Sequence, residues 1–326
     1  MTDVVTILGA GVAGLTVAQE LTTRGLRVRI VDPAGAPGPQ ACSWWAGGML
    51  APFCEGESAD PAVVRLGAQA AEWWQAAGVE VVREGTLVLA PGRDRSELLR
   101  FARRTEGHRT LDREGIAALE PDLAERFDRA LHFAAEAHLA PRAALAKLMC
   151  NLVGRGVEFT DRGAAEGEVI DCRGLAARDC LPDLRGVRGE MVILRAPGLM
   201  IRRPVRLLHP RHPLYIVPRG EGVYMLGATQ IETGARGPAT LRSVVELLNA
   251  AYALHPAFAE AEVLEIGAEA RPAFADNMPR VFRRAGRIHI NGLFRHGFLL
   301  SPAMAIAAAD LLMATRQKEE TACGSR

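Results

Sequence analysis

The chain has 326 residues, of which 49% are hydrophobic and 24% charged, and its formal net charge is +1 at pH 7. These values predict a globular protein of one large domain or two ordinary ones, and they give no general attraction for nucleic acid or for an anionic membrane. The six cysteines form no CxxC pair and no metal-ligand spacing, so we expect no metal site and reduced, mostly buried thiols: Cys42, Cys54, Cys150, Cys172, Cys180 and Cys323.

The N-terminus is apolar but does not read as a secretion signal, because it lacks basic residues, carries Asp3 and is interrupted by glycines. No apolar run is expected to reach the length that crosses a bilayer. The sequence therefore predicts a cytoplasmic protein with no stable membrane association.

The first 32 residues predict a strand, a glycine turn, a helix and a second strand. The two strands are the apolar runs Val4 to Leu8 and Arg27 to Val31, and the second ends at Asp32. The glycines of the turn are spaced as G-x-G-x-x-G: Gly9, Gly11 and Gly14. Such a turn lets a pyrophosphate rest on the helix N-terminus, while the acid accepts hydrogen bonds from a ribose. This unit predicts a dinucleotide cofactor, either NAD or FAD.

The next stretch, CSWWAGGMLAPFCE at residues 42–55, favours FAD. Its small residues would let the backbone pass close to a flat ring, although a flexible glycine loop packed against a tryptophan pair is the alternative. An NAD dehydrogenase would be expected to continue with further strand–helix repeats. The chain continues instead with a helical pattern at 65–77 and mixed segments.

The remaining elements are predicted from local patterns. Strands are expected at 189–195 and 215–218, with a continuation beyond Gly220, and a strand followed by a turn at 168–179. A helix is expected at 241–254, and a last, alanine-rich helix is expected to begin near Pro302. Residues 316–326 form a polar tail that we expect to be disordered.

Four segments together resemble the D-amino-acid oxidase family of flavoproteins, and within it the glycine oxidases of thiamine biosynthesis. They are GAGVAG with Asp32, AGGMLAP, YIVPR followed by GATQ at 215–230, and RPAFADNMPR with NGLFRHGFLLSPA. These segments run from the first strand to the last helix, so the resemblance covers essentially the whole chain.

The resemblance implies an α/β fold, in which a discontinuous, Rossmann-like FAD-binding domain of the GR2 type carries an inserted, mixed-sheet α+β substrate domain. The FAD domain would comprise residues 1–80, 140–188 and 266–326, and the substrate domain residues 81–139 and 189–265. FAD would be bound non-covalently by Gly9, Gly11, Val12, Ala13, Gly14, Asp32, Pro33, Cys42, Ser43, Gly47, Gly48, Met49, Val157, Gly174, Leu293, Phe294, His296, Gly297, Phe298 and Leu299.

The catalytic residues that the resemblance implies are three. Arg271 would clamp the substrate carboxylate, and Tyr215 would place its hydroxyl beside it. Arg295 would be a second positive group that faces the same carboxylate, secondary to Arg271. Tyr224 is the structural alternative to Tyr215, and the role of Gln230 is open.

The reaction that this implies is oxidation of glycine, and of sarcosine or small D-amino acids, by hydride transfer from Cα to the flavin. The imine would hydrolyse to glyoxylate and ammonia, and oxygen would be reduced to hydrogen peroxide. The imine would serve thiazole formation in thiamine biosynthesis. The partners are thus a small amino acid and oxygen, and a homo-oligomer is left open.

Three alternatives remain at this point. An N-methyl amino-acid oxidase of the sarcosine oxidase kind would need a cysteine before the last glycine loop, and none lies between Cys180 and Cys323. A D-amino-acid dehydrogenase would pass its electrons to a quinone rather than to oxygen. A nucleotide-binding protein without turnover would not need Arg271, Tyr215 and Arg295 together.

Overall fold

The computed structural model describes residues 4–209 and 213–324, with side chains as far as Gln317. The strands of this structure are β1 Val4–Leu8, β2 Arg27–Val31, β3 Met49–Leu50, β4 Thr86–Leu89, β5 Arg109–Asp112, β6 Arg129–Phe133, β7 Ala137–His138, β8 Glu158–Thr160, β9 Glu168–Asp171, β10 Arg185–Arg195, β11 Val205–Leu207, β12 Leu214–Pro218, β13 Val223–Gly227, β14 Ile231–Glu232, β15 Glu262–Ala273, β16 Arg280–Arg284 and β17 Arg287–Asn291.

The α-helices are α1 Val12–Thr23, α2 Pro52–Glu55, α3 Pro61–Gly67, α4 Ala70–Ala76, α5 Arg95–Arg104, α6 Arg113–Leu119, α7 Pro121–Ala124, α8 Pro141–Gly154, α9 Leu241–Leu254 and α10 Gly297–Gly324. Short 3-10 turns lie at Cys42–Trp45, Gly92–Asp94, Gly174–Asp179 and Pro256–Glu260.

A six-stranded sheet carries the predicted nucleotide-binding unit. Its strand order is β16-β17-β9-β1-β2-β8, parallel throughout except for the β16–β17 hairpin. The strands β1 and β2 and the helix α9 have the predicted bounds. The helices α1 and α10 pack against each other in the hydrophobic core of this sheet. Because β1 is central and buried, the glycine turn that follows it lies at the carboxyl edge of the sheet, where α/β proteins bind ligands.

A nine-stranded mixed sheet has the order β14-β10-β13-β12-β11-β4-β6-β5, and β15 pairs with the other edge of β10. Its core is formed by alternating residues of these strands together with α9. The mixed α/β architecture predicted for the chain is confirmed, while the domain boundaries listed above stay a prediction.

Three predictions about helices and one about thiols were wrong. The helical pattern at 65–77 forms two helices, since α3 ends at Gly67 and α4 begins at Ala70. The last helix begins at Gly297 and holds Pro302 inside its second turn. The polar tail is helical as far as Gly324. The described cysteines are free, but only Cys54 and Cys172 are fully buried.

The expectation about membrane-spanning length was also wrong. The segment Gly297–Gln317 of α10 is long and apolar enough to cross a membrane, with a mean hydropathy of 1.7. More than half of this segment, 56%, is buried inside the protein. Packing against α1, α3 and α4 therefore accounts for its apolar composition.

Candidate active site

A cavity of about 1150 Å³ is lined by residues of both large sheets. It receives 21 of the 23 predicted site residues, and the two exceptions are Gly14 and Val157. Val157 is buried in the hydrophobic core at the end of α8, so its side chain does not reach the cavity. Gln230 also lines the cavity, whereas Tyr224 is buried in the second sheet and donates a hydrogen bond to the Leu199 carbonyl, as a structural residue does.

The glycine turn brings backbone atoms together more closely than any side chain would allow. A Cβ atom at Gly14 would lie 1.9 Å from the Gly9 carbonyl oxygen, and Gly9 itself has a φ of +101°. Gly14 therefore acts by packing helix to strand rather than by touching a ligand. Asp32 fixes the turn, because its carboxylate accepts hydrogen bonds from the amides of Ala10 at 2.8 Å and Ala34 at 2.9 Å. The hydroxyl of Ser43 accepts a hydrogen bond from Val12 in the first turn of α1.

The loop Ala46-Gly47-Gly48 is held by Arg219, a half-buried arginine that was not among the predicted site residues. The Arg219 guanidinium donates to the Gly47 carbonyl at 2.7 Å, and it lies close to the carbonyls of Ala46 and Leu139. Burial lowers the pKa of Arg219 to about 10. Arg219 is the last residue of the segment YIVPR, and its place in that segment was the only sign in the sequence that it could belong to the site.

Tyr215 lies between strand neighbours that leave room for its ring. In the β12 register it faces Gly227 of β13 and Arg206 of β11. A Cβ at Gly227 would lie 2.7 Å from its hydroxyl, and one at Gly47 would lie 2.8 Å from its ring. Burial raises the pKa of the Tyr215 phenol, against the charges of the surrounding arginines. The hydroxyl is therefore a neutral donor that faces the cavity at neutral pH.

Arg271 lies on β15 opposite Val187 of β10 and extends into the space that Gly189 leaves. A Cβ at Gly189 would lie 1.8 Å from its guanidinium nitrogen Nη2. Its side chain makes one long contact, at 3.4 Å, with the Thr229 carbonyl, and no carboxylate pairs with it among the described residues. Burial lowers the pKa of Arg271 but leaves it a cation at neutral pH. A half-buried, lightly engaged guanidinium that lines a cavity is suited to bind an external carboxylate.

Arg295 is already engaged by a carboxylate. Its guanidinium lies 2.6 Å from Glu55 Oε2 and 3.0 Å from the Ser58 hydroxyl. The same oxygen of Glu55 lies 2.8 Å from His296 Nε2, and Glu55 Oε1 contacts Arg206. Burial opposes ionisation of Glu55, but Arg206, Arg295 and His296 together outweigh it and hold its pKa well below its usual range. Glu55 is thus an ionised carboxylate at the cavity wall.

Sequence reasoning missed Glu55 and Arg206. Glu55 closes the stretch CSWWAGGMLAPFCE, but nothing local distinguishes a buried acid from a solvated one. Arg206 is one of many arginines in the chain, and its neighbours in the site come from distant segments.

The residues at the end of β9 form a structural ion network. Asp171, Cys180 and His289 place potential ligand atoms within 4.8 Å of one another. However, Arg173 binds the Asp171 carboxylate at 2.7 Å and also pairs with Asp179. The guanidinium already supplies the positive charge that Asp171 requires, so this cluster provides no reason to expect a metal ion.

The cavity fits FAD on observations from each of its ends. The glycine turn and the N-terminus of α1 line one end of the cavity, where backbone amides can meet a pyrophosphate, and the backbone of Gly47 and Gly48 lines it where a flat ring would lie. At the far end His296 keeps Nδ1 buried without a partner in the described part of the chain, next to the N-terminus of α10. A nucleotide-binding sheet whose cavity leads to several guanidinium groups is the arrangement of an FAD-dependent oxidoreductase.

Comparisons with known proteins also indicate an FAD-dependent oxidoreductase. Residues 4–311 match the family model DAO, described as FAD dependent oxidoreductase. A protein of Rhizobium etli, provisionally named thiamine biosynthesis oxidoreductase ThiO, is 54% identical over 96% of this chain and 97% of its own length. Glycine oxidase of Pseudomonas aeruginosa is 28% identical over 96% of this chain and 95% of its own length.

A solved structure shows the same fold. The crystal structure of glycine oxidase from Geobacillus kaustophilus has a TM-score of 0.81 and 23% identity, covering 96% of this chain and 95% of that one. The chain belongs to the D-amino-acid oxidase family of FAD-dependent oxidoreductases, as its motifs predicted.

Proposed function

We propose that the chain oxidises glycine, with sarcosine and small D-amino acids as further substrates, and passes the electrons to oxygen. The observation that carries this proposal is Arg271, a half-buried side chain whose guanidinium lines the cavity and has no carboxylate partner among the described residues. The names of the relatives support glycine as the substrate, and the name of the relative at 54% identity supports a role in thiamine biosynthesis. A cytoplasmic location and a homo-oligomer stay predictions.

The residues divide the work between binding and orientation. Arg271 would bind the substrate carboxylate, and Tyr215 would donate its phenolic proton to one of the carboxylate oxygens. Gly47 and Gly48, held through Arg219, would set the distance between substrate and ring. FAD supplies the chemistry by accepting the hydride of the substrate Cα. The sequence motifs indicated no histidine–carboxylate pair, but the structure places His296 Nε2 2.8 Å from Glu55 in the cavity wall. Because Arg206 and Arg295 also bind this carboxylate, we assign the pair no part in proton removal.

The first test measures peroxide formation by the FAD-loaded enzyme with glycine, sarcosine, D-alanine and D-proline. We expect peroxide from glycine with the highest kcat/KM of the four. Anaerobic bleaching of the flavin by glycine without peroxide in air would identify a dehydrogenase instead. Failure of every small amino acid to bleach the flavin would refute the proposal.

Arg271→Ala tests the carboxylate clamp. We expect the KM for glycine to rise roughly ten- to a hundredfold with FAD retained, because a charged hydrogen-bonding pair of about 1.5–3 kcal/mol is lost. Arg100→Ala is the matched control, since Arg100 also lines the cavity but pairs with Glu97 and Glu57. A glycine KM that changes equally in both variants would remove Arg271 from this role.

Acid precipitation tests the attachment of FAD. We expect the flavin to remain in the supernatant, because the linkage considered above needs a cysteine that segment 181–322 lacks. A yellow pellet would contradict non-covalent binding and point to one of the cavity residues, Cys42 first.

A further inference from the structure

The wall of the cavity beside Tyr215 holds two arginines around one carboxylate. Glu55 is 5% exposed and engages Arg206 with one oxygen, and Arg295 and His296 with the other. Both oxygens are therefore saturated. Glycine has one carboxylate, and Arg271 and Tyr215 are available to bind it. The cluster around Glu55 is therefore not needed for the oxidation of glycine itself.

Arg206 faces the same space as the substrate. It is the cross-strand neighbour of Tyr215, so the two side chains leave the sheet on the same face. Its Nε–H is buried and has no acceptor among the residues that the structure describes. Arg206, Arg271 and Arg295 line the same cavity as Tyr215, so their guanidinium groups share one space with the substrate.

The charge balance of this volume depends on Glu55. The other nearby acid, Glu136, accepts a hydrogen bond from the Cys54 amide at 2.7 Å, and burial raises its pKa toward the neutral form. Cys54 is likewise buried, and burial raises its pKa, so the thiol contributes no charge. Glu57 lies at the rim and pairs with Arg104 and Arg100 instead. Glu55 is therefore the carboxylate that compensates Arg206 and Arg295 within the described part of the chain.

We propose that Glu55 is a specificity residue: its carboxylate fills an anion-binding position between Arg206 and Arg295 and thereby excludes amino acids that carry a second carboxylate. The inference rests on the proposed function and deepens it. A substrate with one carboxylate uses Arg271 and meets no repulsion. A substrate with a carboxymethyl group on its nitrogen brings a second negative charge toward a position that Glu55 already occupies. Removing the charge of Glu55 opens that position to the substrate.

Three N-substituted glycines separate charge from size in the test. Sarcosine carries a methyl group, N-(carboxymethyl)glycine adds a carboxylate to that methyl, and N-(carbamoylmethyl)glycine replaces the carboxylate by a neutral amide of nearly the same shape. In the unmodified enzyme we expect kcat/KM for the dicarboxylate to be at least about tenfold below that for the amide, because a like charge at close range repels it. Equal values for the two would overturn the proposal.

Glu55→Gln is the decisive variant, because it keeps the shape of the side chain and removes its charge. We expect the ratio of kcat/KM for the dicarboxylate to that for the amide to rise at least about tenfold. Glu57→Gln is the matched control, an acid two residues away that lines the cavity but pairs with other arginines, and it should leave the ratio unchanged. The double variant Glu55→Gln/Arg206→Gln restores the charge balance and should lose most of the gain. An unchanged ratio in Glu55→Gln that still oxidises glycine would refute the proposal.

A binding measurement on the flavin spectrum is independent of turnover. Methoxyacetate and diglycolate are the non-oxidisable counterparts of sarcosine and the dicarboxylate. We expect the holoenzyme to bind methoxyacetate at least about tenfold more tightly, and Glu55→Gln to reverse this preference. If no amino acid is oxidised, the proposed function fails while this titration still decides the role of Glu55. If Glu55→Gln does not fold, tighter binding of diglycolate than of methoxyacetate by the unmodified enzyme is the result that overturns the inference.

Discussion

At the scale of single residues, the space around Arg271 is created by a missing side chain. Gly189 on β10 lies where the guanidinium passes, and a Cβ there would be 1.8 Å from Nη2 and 2.3 Å from Cζ. The atoms in conflict belong to the far end of a flexible side chain, so a methyl group would displace the guanidinium rather than break the sheet. The position of the Arg271 guanidinium, the proposed carboxylate clamp, therefore depends on Gly189.

Gly189→Ala should raise the KM for glycine by about tenfold, since a displaced guanidinium loses one of its two hydrogen bonds to the carboxylate, worth about 1.5 kcal/mol. FAD content and the thermal midpoint of unfolding should stay close to those of the unmodified enzyme. Steady-state kinetics on the FAD-loaded variant measure the effect. Gly198→Ala serves as the control, because a Cβ there meets no heavy atom within 4 Å. An unaltered glycine KM in Gly189→Ala would show that Arg271 adapts freely.

At the scale of elements, α10 begins earlier than its proline suggests. Pro302 has no amide hydrogen, so the carbonyl of Phe298, four residues before it, loses its helical partner. The indole nitrogen of Trp74 on α4 donates to that carbonyl at 2.8 Å, and the ring is fully buried against Phe298. The tryptophan thus supplies the hydrogen bond that the proline removes and joins α4 to the start of the helix below the cavity.

Trp74→Phe should lower the free energy of unfolding by about 1–3 kcal/mol, because a buried carbonyl is left without a donor, and the smaller ring adds a cavity. Trp73→Phe is the matched control. Its indole makes only a long contact of 3.4 Å with Glu20 on the half-buried side of the same helix. Urea unfolding of both variants gives the comparison. Equal losses in the two would show that the bond to Phe298 contributes nothing beyond ring burial.

The same elements show how far the sequence predicts the structure. The bounds of β1, β2 and α9 follow from local patterns, and α9 is capped by the Thr240 hydroxyl accepting from Ser243. The start of α10 was mispredicted because proline favours the first turn of a helix. Pro302 is tolerated in the second turn because Trp74, more than 200 residues away in the chain, donates to the carbonyl that the proline leaves without a partner. Prediction from neighbouring residues cannot include a hydrogen-bond donor that a distant segment supplies.

At the scale of the whole molecule, the site is assembled by pairing between distant segments. Arg206 meets Tyr215 through the β11–β12 register, and Arg271 meets Gly189 through β10 and β15. The resemblance identified Arg271 and Tyr215 from their motifs, and nearly all of the predicted cofactor residues line the cavity. It could not supply Glu55 and Arg206, because their roles are defined by the sheet pairing and by burial rather than by adjacent letters.

The stability of the whole molecule should depend on pH through His138. This histidine is 4% exposed and pairs with Met49 in the β3–β7 ribbon, and its Nδ1 has no partner within residues 4–209 and 213–317. Burial and then the charge of Arg219 lower its pKa to about 4 from the ordinary 6.5. The folded protein therefore holds His138 neutral, while the unfolded chain takes up a proton below pH 6.5. Its contribution is fully present above that pH and is lost as the pH falls toward 4.

We expect His138→Gln to lose less stability than the unmodified protein when the pH is lowered from 7 to 5, by about 2 kcal/mol. Urea unfolding of both proteins at several pH values measures this difference, which cancels the contributions of the shared carboxylates. Between pH 7 and 8 the two curves should run parallel, because His138 is neutral in both the folded and the unfolded state there. If the stability curves of the two proteins stay parallel down to pH 5, His138 is protonated as easily in the folded protein as in the unfolded chain. That result would contradict the lowered pKa that its burial implies.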